Sequence, residues 1–265
     1  YNTLKSRPSA VQAALRKLYG DRTDLIESRQ AKLLELFEAF IASFNAEAPV
    51  IVARAPGRVN LMGRHIDHRG GYCNTIAIHN DVWVVASRRN DGRLLLRNLD
   101  AEFPPKDLDP DDLWSAAAVQ SWHNFVESQT VEQYLFRHRG EWINYLLGAY
   151  LRLRVAYGDC IRGGMNAVVW GDVPRSVGLS SSSAVFVAGA MALARLNGIE
   201  IEPDRLVGLC GEGEWFVGTR GGAGDHAAMV YARRGMISQI GFFPVHLARQ
   251  AALPSDIEII LCNSY

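Results

Sequence analysis

The sequence has few cysteines, no excess of charge of either sign and no long hydrophobic run. Its 265 residues contain 28 lysines and arginines and 28 aspartates and glutamates, so the formal net charge is zero. A neutral chain has no overall field that would draw it to nucleic acid or to an acidic membrane surface. The longest run of small and apolar residues, Ala184 to Ala194, is shorter than the roughly 18–20 residues that span a bilayer. We therefore expect neither nucleic acid nor membrane as a partner, and any anionic ligand must be held by a local site.

The arrangement of the four cysteines argues against stabilisation by disulfide bonds and against a structural zinc site. They lie far apart, with no CxxC pair and no histidine at a zinc-ligand spacing. The first residues, Tyr-Asn-Thr-Leu-Lys, lack the charged-then-apolar order of a secretion signal. We therefore expect reduced, mostly buried thiols in a cytoplasmic protein. The cysteines are Cys73, Cys160, Cys210 and Cys262.

Composition and periodicity predict an α+β protein. Apolar residues make up 48% of the chain and charged residues 21%, as in ordinary globular proteins, and the length suits one and a half to two domains of about 150 residues. Helices are predicted from apolar residues three and four apart, and strands from short apolar runs. The predicted helices are 8–45 (broken at Gly20-Asp21), 141–154, 184–196 and 203–216. The predicted strands are 50–53, 81–86, 94–97, 165–170 and 257–261, with a Gly-rich polar loop between the first two and a surface connection at 100–113. Their irregular alternation is typical of α+β folds.

The segment Gly178-Leu-Ser-Ser-Ser-Ser-Ala184 stands between a predicted strand and a predicted helix. Glycine lets the backbone approach a ligand, and small serines leave the first helix amides uncovered. Those amides and the helix dipole form an anion site, while serine hydroxyls donate to phosphate or bind magnesium. The alternative is an ordinary capped helix after a flexible loop. The segment has neither a Walker ending nor GxGxxG, and it does not match the GxSxG of serine hydrolases.

The segment from Arg54 to Tyr72 places two histidines, one aspartate and four arginines between two apolar runs. His65, Asp67 and His68 are metal ligands by residue type, but the arginines around them would repel a cation. A polyhydroxylated small molecule, neutral or anionic, fits better. Carboxylate and imidazole groups hydrogen-bond hydroxyls, and guanidinium groups bind phosphate or carboxylate through two parallel hydrogen bonds.

The third segment, Gly218-Thr-Arg-Gly-Gly-Ala-Gly-Asp225-His226, ends a Gly-rich turn with a carboxylate. Such a group can accept a hydroxyl proton or orient an attacking oxygen in phosphoryl transfer. The alternative is that Asp225 caps a helix that begins here.

Together and in this order, the three segments resemble the GHMP kinases, the superfamily of galactokinase, homoserine kinase, mevalonate kinase and phosphomevalonate kinase. The likeness is to the sugar 1-kinases of the galactokinase branch and runs from about residue 48 to the end. Arg54–Tyr72 is similar to the galactokinase signature, and Pro174–Ala184 is similar to the GHMP phosphate loop. Residues 210–226 are similar to the helix and turn that carry the magnesium ligand and the base. The helical run Trp142–Gly148 is also similar to the helix found between the first two motifs.

The resemblance implies a ribosomal protein S5 domain 2-like fold, followed by a ferredoxin-like C-terminal domain. It implies transfer of the ATP γ-phosphate to the anomeric (C1) hydroxyl of galactose or a related hexose, with Mg²⁺. It also implies that the partners are a small-molecule sugar and ATP; nothing in the sequence indicates the oligomeric state.

The resemblance assigns roles to particular residues. Asp225 would be the catalytic carboxylate, with Arg58 beside it. Glu214 would bind magnesium, although the spacing leaves Glu212 open. The implied substrate-binding residues are Arg64, His65, Asp67, Tyr72 and Gly222. The implied phosphate-binding residues are Gly178, Leu179, Ser180, Ser181, Ser182 and Ser183, of which Ser182 is the expected second magnesium ligand.

One residue departs from the galactokinase pattern in a way that bears on the substrate. Galactokinases usually have Gly-Glu-His-Thr-Asp-Tyr where this chain has Gly63-Arg-His-Ile-Asp-His68, and in the family that glutamate faces the sugar's C6 hydroxyl. Arg64 reverses the charge there, and the His-Ile-Asp-His-x-Gly-Gly run is similar to galacturonate kinases. A uronic acid is therefore an alternative substrate, unless Arg64 turns outward or pairs with a protein carboxylate. A sugar and ATP sensor without turnover is an alternative of another class. A non-sugar alcohol substrate is disfavoured by His65 and Asp67.

Three divisions of the chain are predicted. Residues 1–47 would form a helical extension that either packs on the core or serves an interface. Residues 48–255 would form the GHMP N-terminal domain, and residues 256–265 would begin a C-terminal domain that is largely missing. We expect the isolated stretch to hold only part of the catalytic cleft and to have doubtful activity alone.

Overall fold

The computed structural model describes residues 8–44, 48–114 and 121–262. Parts of two predicted divisions, residues 1–7 and 45–47 of the extension and 263–265 of the last segment, lie outside the described residues. Within the described ranges, strands and helices follow one another along the chain. The strands are β1 (Val50–Met62), β2 (Gly71–Arg89), β3 (Leu94–Asn98), β4 (Lys106–Leu108), β5 (Gly164–Gly171), β6 (Met236–Phe242) and β7 (His246–Ala252). The helices are α1 (Pro8–Tyr19), α2 (Thr23–Ser43), α3 (Trp122–Val126), α4 (Gln129–Arg137), α5 (Ile143–Tyr157), α6 (Ser181–Leu196), α7 (Pro203–Gly213) and α8 (Gly224–Val230).

The seven strands form one sheet in the order β4-β3-β5-β2-β6-β7, with β1 also paired to β2. The long strand β2 organises this sheet. It pairs with β1 along one edge, and on the other edge its second half pairs with β5 and its first half with β6. The β3–β5 pair is parallel and the other pairs are antiparallel. The sheet thereby brings β1, β5 and β6 around β2, and the candidate site lies where the loops from these strands meet.

Alternate side chains of β2 face two different hydrophobic layers, as the two-residue period of a strand requires. Val82 and Val84 pack in a cluster with residues of α5 and α6. Trp83 and Val85 pack on the opposite face with residues of α1 and α2, among them the fully buried Phe40. The helical extension therefore packs on the core, in a helix–sheet–helix arrangement.

Most predicted elements are confirmed, and α1 and α2 are separated at Gly20-Asp21 as predicted. The α+β class is confirmed as well. The predicted polar loop after residue 53 is wrong for most of its length, because β1 and β2 form a long hairpin whose loop is only 63–70. The predicted surface connection at 100–113 contains the short strand β4.

The predicted strand at 257–261 is wrong. These residues belong to no regular element, and Ile257 and Ile260 are 51% and 80% exposed, because no described strand pairs with them. Strands β6 and β7 were not predicted, because polar and glycine residues interrupt their apolar pattern. No helix within the described ranges combines the length and the apolar character that membrane crossing requires.

Candidate active site

A cavity of about 550 Å³ lies where the three motif segments meet. Its walls are the β1–β2 loop at 63–68, the loop after β5 at 176–182 and the Gly-rich turn at 219–225. Strand β1 contacts the loop after β5 directly, because the Arg58 amide donates to the Leu179 carbonyl over 3.3 Å. Segments more than a hundred residues apart in sequence thus form one polar pocket.

Asp67 is seated against the Gly-rich turn. The amide of Gly224 donates to Asp67 Oδ2 over 3.3 Å. A Cβ atom on Gly222 would lie 2.5 Å from the same oxygen. The turn therefore needs glycine at residue 222 because a carboxylate occupies the space of any side chain.

Arg58 and Asp225 form an ion pair at the floor of the cavity. Arg58 donates from Nε and Nη2 to Asp225 Oδ1 over 2.9 and 2.6 Å, and from Nη1 to the Gly178 carbonyl over 2.5 Å. The Ser180 hydroxyl donates to Asp225 Oδ2. Burial raises the pKa of Asp225, but the Arg58 charge and the hydrogen bonds from Ser180 and Arg58 outweigh it, so the pKa lies below its usual value. The carboxylate is therefore ionised at neutral pH. The alternative role of Asp225 as a helix cap is wrong, because Ala223 occupies that position.

The amino end of α6 opens onto the same cavity. Its N-cap residue, Ser180, has a left-handed conformation (φ 59°) and directs its hydroxyl to Asp225 instead of capping the helix. The first amides of α6 are thus left for a ligand, and the helix dipole favours an anion at this end. Ser176 and His65 also have positive φ values of 61°. Such conformations cost free energy in residues other than glycine and cluster at functional sites.

Glu214 is the acidic residue of helix α7 and its extension that faces the cavity. The helix ends at Gly213 and tightens into a 3₁₀ turn at Glu214–Val217. The Ser183 hydroxyl lies 3.1 and 3.3 Å from the two Glu214 oxygens. The Nε2 atom of the buried His226 is 3.1 Å from Oε2, at an angle that completes no hydrogen bond. Glu212 instead pairs with Arg152 over 2.5 Å and does not line the cavity.

Ser182 and Glu214, the expected magnesium ligands, both carry the oxygen atoms that this ion prefers. Both line the cavity beside the amino end of α6. Mg²⁺ prefers oxygen ligands and is typically held by one or two carboxylates with waters and substrate phosphates. No three His, Cys, Asp or Glu side chains in the described part of the chain are grouped as a self-sufficient metal site.

A second cavity, of about 470 Å³, lies on the other side of the phosphate loop. Phe103, Trp142 and Tyr145 form its aromatic wall, and Ser181 and Ser182 line both cavities. No sequence motif predicts this pocket, and only the helical run that begins at Trp142 contributes a predicted element to it.

The structure brings most of the predicted site residues together. The cavity lining includes Arg58, Arg64, His65, Asp67, Gly178, Ser180, Ser181, Ser182, Glu214, Gly222 and Asp225. Three predicted residues lie outside it: Ser183 is buried behind Glu214, Leu179 offers its carbonyl to the Arg58 amide, and Tyr72 is 55% exposed with its ring against His246. Tyr72 points away because it follows the loop on β2, where it pairs with Gly241 of β6.

Several lining residues were missed: Asn60, Cys73, Ser176, Thr219 and Arg220. Cys73 is 3% exposed. Burial first, and then the charges of Asp67 and Asp225, raise the pKa of its thiol to about 11. All four cysteines are free. Cys73 and Cys210 are buried as expected, whereas Cys160 and Cys262 are exposed, so the prediction of mostly buried thiols is wrong for these two.

Two family models match the segments that build this site. Residues 38–88 match the galactokinase galactose-binding signature, and residues 144–233 match the GHMP kinase N-terminal domain. The fold and the site thus define a GHMP kinase N-terminal domain. The chain belongs to the GHMP kinases, in the galactokinase branch.

Named relatives agree with this family, and a solved structure shares its fold. A galactokinase from a Roseiflexus species is 32% identical over 232 residues, which cover 87% of this chain and 52% of that protein. The Dictyostelium discoideum galactokinase is 28% identical over 242 residues, or 90% of this chain and 45% of that protein. The structure of Lactococcus lactis galactokinase complexed with galactose has a TM-score of 0.68 at 23% identity, covering 85% of this chain and 52% of that one, and shows the shared fold. The chain spans about half the length of the curated relatives it matches.

Proposed function

We propose that the chain carries the reaction centre of a kinase that transfers the γ-phosphate of ATP to the C1 hydroxyl of galactose or a related hexose. The observation that supports this most directly is the Arg58–Asp225 pair, which lies between a polar cavity and the amino end of α6. A sugar in the cavity and a phosphate at the helix end would meet at this pair.

The proposed step is an in-line displacement. The C1 oxygen attacks the γ-phosphorus, the bond from that phosphorus to the bridging oxygen breaks, and ADP leaves. Asp225 Oδ2 orients the hydroxyl and receives its proton. Because the pKa of Asp225 lies below its usual value, the carboxylate acts mainly by positioning, and proton transfer comes late. This suits phosphoryl transfer, where positioning and charge neutralisation do most of the work.

Arg58 has a second part in the proposed step. Its guanidinium contacts both Asp225 and the Gly178 carbonyl of the phosphate loop. It can therefore fix the distance between the acceptor hydroxyl and the phosphate, and its charge opposes the negative charge that develops on the transferred group.

The two cavities would hold different ligands, ATP in one and the sugar in the other. The aromatic cavity suits the base and ribose of ATP, and Ser181 and Ser182 stand between the cavities, where the phosphates would lie. Ser182 and Glu214 would hold Mg²⁺, which neutralises phosphate charge when bound. Asp67 and His65 would bind sugar hydroxyls in the polar cavity.

A second candidate substrate, a uronic acid, is favoured by one observation. Arg58 is paired with Asp225, and Arg220 with Glu127 over 2.9 Å. Arg64 lines the cavity without an ion pair or hydrogen bond to any described residue. An unpaired guanidinium beside the sugar pocket suits a carboxylate on the substrate.

The experiment that tests the reaction detects sugar phosphate by ³¹P NMR in the presence of ATP and Mg²⁺. The sugars are galactose, galacturonate, glucuronate, arabinose and N-acetylgalactosamine. Because the chain spans half of its relatives' length, it is assayed alone and fused to the C-terminal half of the Roseiflexus galactokinase. We expect a sugar 1-phosphate from the fusion. A phosphate on another hydroxyl would contradict the assignment of C1.

Two further outcomes separate the alternatives. If calorimetry shows binding of ATP and sugar but neither form gives more than one product per protein molecule, the sensor function is supported instead. The Arg64→Glu variant should lower the ratio of galacturonate to galactose turnover by about tenfold or more, whereas an unchanged ratio would rule out contact between Arg64 and a substrate carboxylate.

The four free cysteines support a reducing compartment such as the cytoplasm.

A further inference from the structure

The phosphate loop has an end that lies away from the cavity. The loop leaves β5 at Asp172 and reaches α6 at Ser181, and Ser176, Gly178 and Ser180 all have positive φ values, of 61°, 77° and 59°. Unfavourable conformations of this kind persist where the surrounding structure fixes them. Arg58 holds the cavity end of the loop through Gly178 and Leu179. The other end must be fixed by something else.

Arg29 of the helical extension reaches that other end. Its Nη2 atom donates to Asp172 Oδ2 over 2.6 Å and to the His79 carbonyl over 3.0 Å. The guanidinium lies over the Trp170 ring, 5.0 Å from the centroid, and the side chain is 4% exposed. Packing and hydrogen bonds therefore leave this arginine little freedom.

Asp172 is held from its other sides by β2. The Asp81 amide donates to Asp172 Oδ1 over 2.8 Å, and Asn80 Nδ2 donates to the Asp172 carbonyl over 3.0 Å. The Asp81 side chain, which is fully buried, pairs with Arg54 over 2.5 Å and lies 3.7 Å from Arg29. Two arginines thus balance two aspartates, and Arg29 is the cation that contacts Asp172.

We propose that Arg29 is a positioning residue for the phosphate loop and acts through Asp172. The helical extension would then do more than cover the sheet, because its guanidinium fixes the point from which the strained loop starts. Removal of Arg29 leaves the Asp172 carboxylate without its cation, so the start of the loop would be held only by backbone and amide contacts. This inference concerns the loop itself, and only its effect on nucleotide affinity rests on the proposed function.

Hydrogen–deuterium exchange of the ligand-free chain tests the proposal directly. We expect Arg29→Met to speed amide exchange in residues 173–180 by about tenfold. The matched control is Leu33→Ala, one turn further along α2, because Leu33 is a buried residue of the apolar cluster of α1 and α2. That variant should loosen the extension and leave the loop unchanged. Equal effects of the two variants on the loop, or no effect of Arg29→Met there, would overturn the proposal.

A second variant allows the proposal to be tested even if Arg29→Met does not fold. Asp172→Asn retains the shape of the side chain and removes its charge, and it should reproduce the faster exchange in 173–180. Calorimetry with ADP and with galactose then separates the two sides of the site. We expect Arg29→Met to weaken ADP binding by roughly two- to thirtyfold and to leave galactose binding unchanged. Equal losses for both ligands would indicate general destabilisation and contradict a loop-specific role. If the unchanged chain binds no ADP, the proposed function fails, while the exchange result still decides the role of Arg29.

Discussion

Two clusters of arginine and aspartate flank the phosphate loop and differ in the burial of their central carboxylate. The front cluster, Arg58 and Asp225, opens on the polar cavity, and the Asp225 side chain is 35% exposed. The rear cluster, Arg29, Arg54, Asp81 and Asp172, is centred on the fully buried Asp81. The same pair of residue types therefore occurs once around a carboxylate that faces a cavity and once around a carboxylate that is fully buried.

Exposure decides what each cluster can do. An ion pair in contact with solvent gains little stability, because water screens it, but it can exchange partners when a substrate arrives. A buried pair cannot exchange partners, and the loss of one member leaves an uncompensated charge in the interior. Substitutions in the front cluster should therefore affect chemistry, and loss of the buried Asp81 charge should affect the fold.

The largest expected effect is on turnover in the front cluster. Asp225→Asn removes the proton acceptor and the charge that orients the hydroxyl, so turnover in the fusion should fall by roughly 10²–10⁴-fold. Urea unfolding of the same variant should show a change of no more than about 1 kcal/mol, as is usual for partly exposed pairs. The distinction between the clusters would be removed if the loss in unfolding free energy were as large as the lost turnover expressed as a free energy.

The rear cluster should give the opposite result. Asp81→Asn removes a fully buried charge and leaves Arg29 and Arg54 with only Asp172 to balance them. We expect the free energy of unfolding to fall by about 3–5 kcal/mol, measured by urea denaturation. The double variant Asp81→Leu with Arg54→Met removes one charge of each sign and serves as the control. It should recover part of the loss, since it leaves Arg29 and Asp172 paired, and failure to recover would contradict a charge-based explanation.

The front cluster could be predicted from the sequence and the rear cluster could not. Asp225 and Arg58 stand in Gly-rich segments whose residue types and order resemble one family, so they were placed together without coordinates. Arg29 stands in an ordinary amphipathic helix, 143 residues from Asp172, and has no local pattern to mark it. Its role depends on which face of β2 the helix covers, and this is set by packing over the whole sheet.

The difference between local sequence pattern and long-range packing also explains why the directions of some motif side chains were not predicted. Tyr72 lies within a recognised motif, but its direction is set by the pairing of β2 with β6, two strands far apart in sequence. Glu212 and Glu214 are two residues apart and could not be separated by spacing. In the structure Glu214 lines the cavity and Glu212 pairs with Arg152, because side chains two residues apart on a helix do not share a face.

The smallest predicted effect concerns the pH dependence of the front cluster. The pKa of Asp225 is below its usual value because Arg58 and Ser180 outweigh burial. A carboxyl group with a lower pKa in the folded than in the unfolded state stabilises the fold above the unfolded pKa. That contribution is lost as the pH falls through the folded pKa. Arg58→Met removes the opposing charge, so burial should then dominate and the pKa should rise by roughly one to three pH units.

NMR of the Asp225 side-chain carboxyl carbon, titrated in the ligand-free chain, measures this shift without relying on turnover. Arg64→Met is the matched control, because Arg64 lines the same cavity and has no contact with Asp225. It should leave the titration close to that of the unchanged chain. If Arg58→Met left the Asp225 titration unchanged, the Ser180 hydrogen bond alone would account for the low pKa, and the front cluster would not be an ion pair in solution. A rise confined to Arg58→Met would show that its charge keeps the half-buried Asp225 ionised, as Arg29 and Arg54 balance the fully buried Asp81.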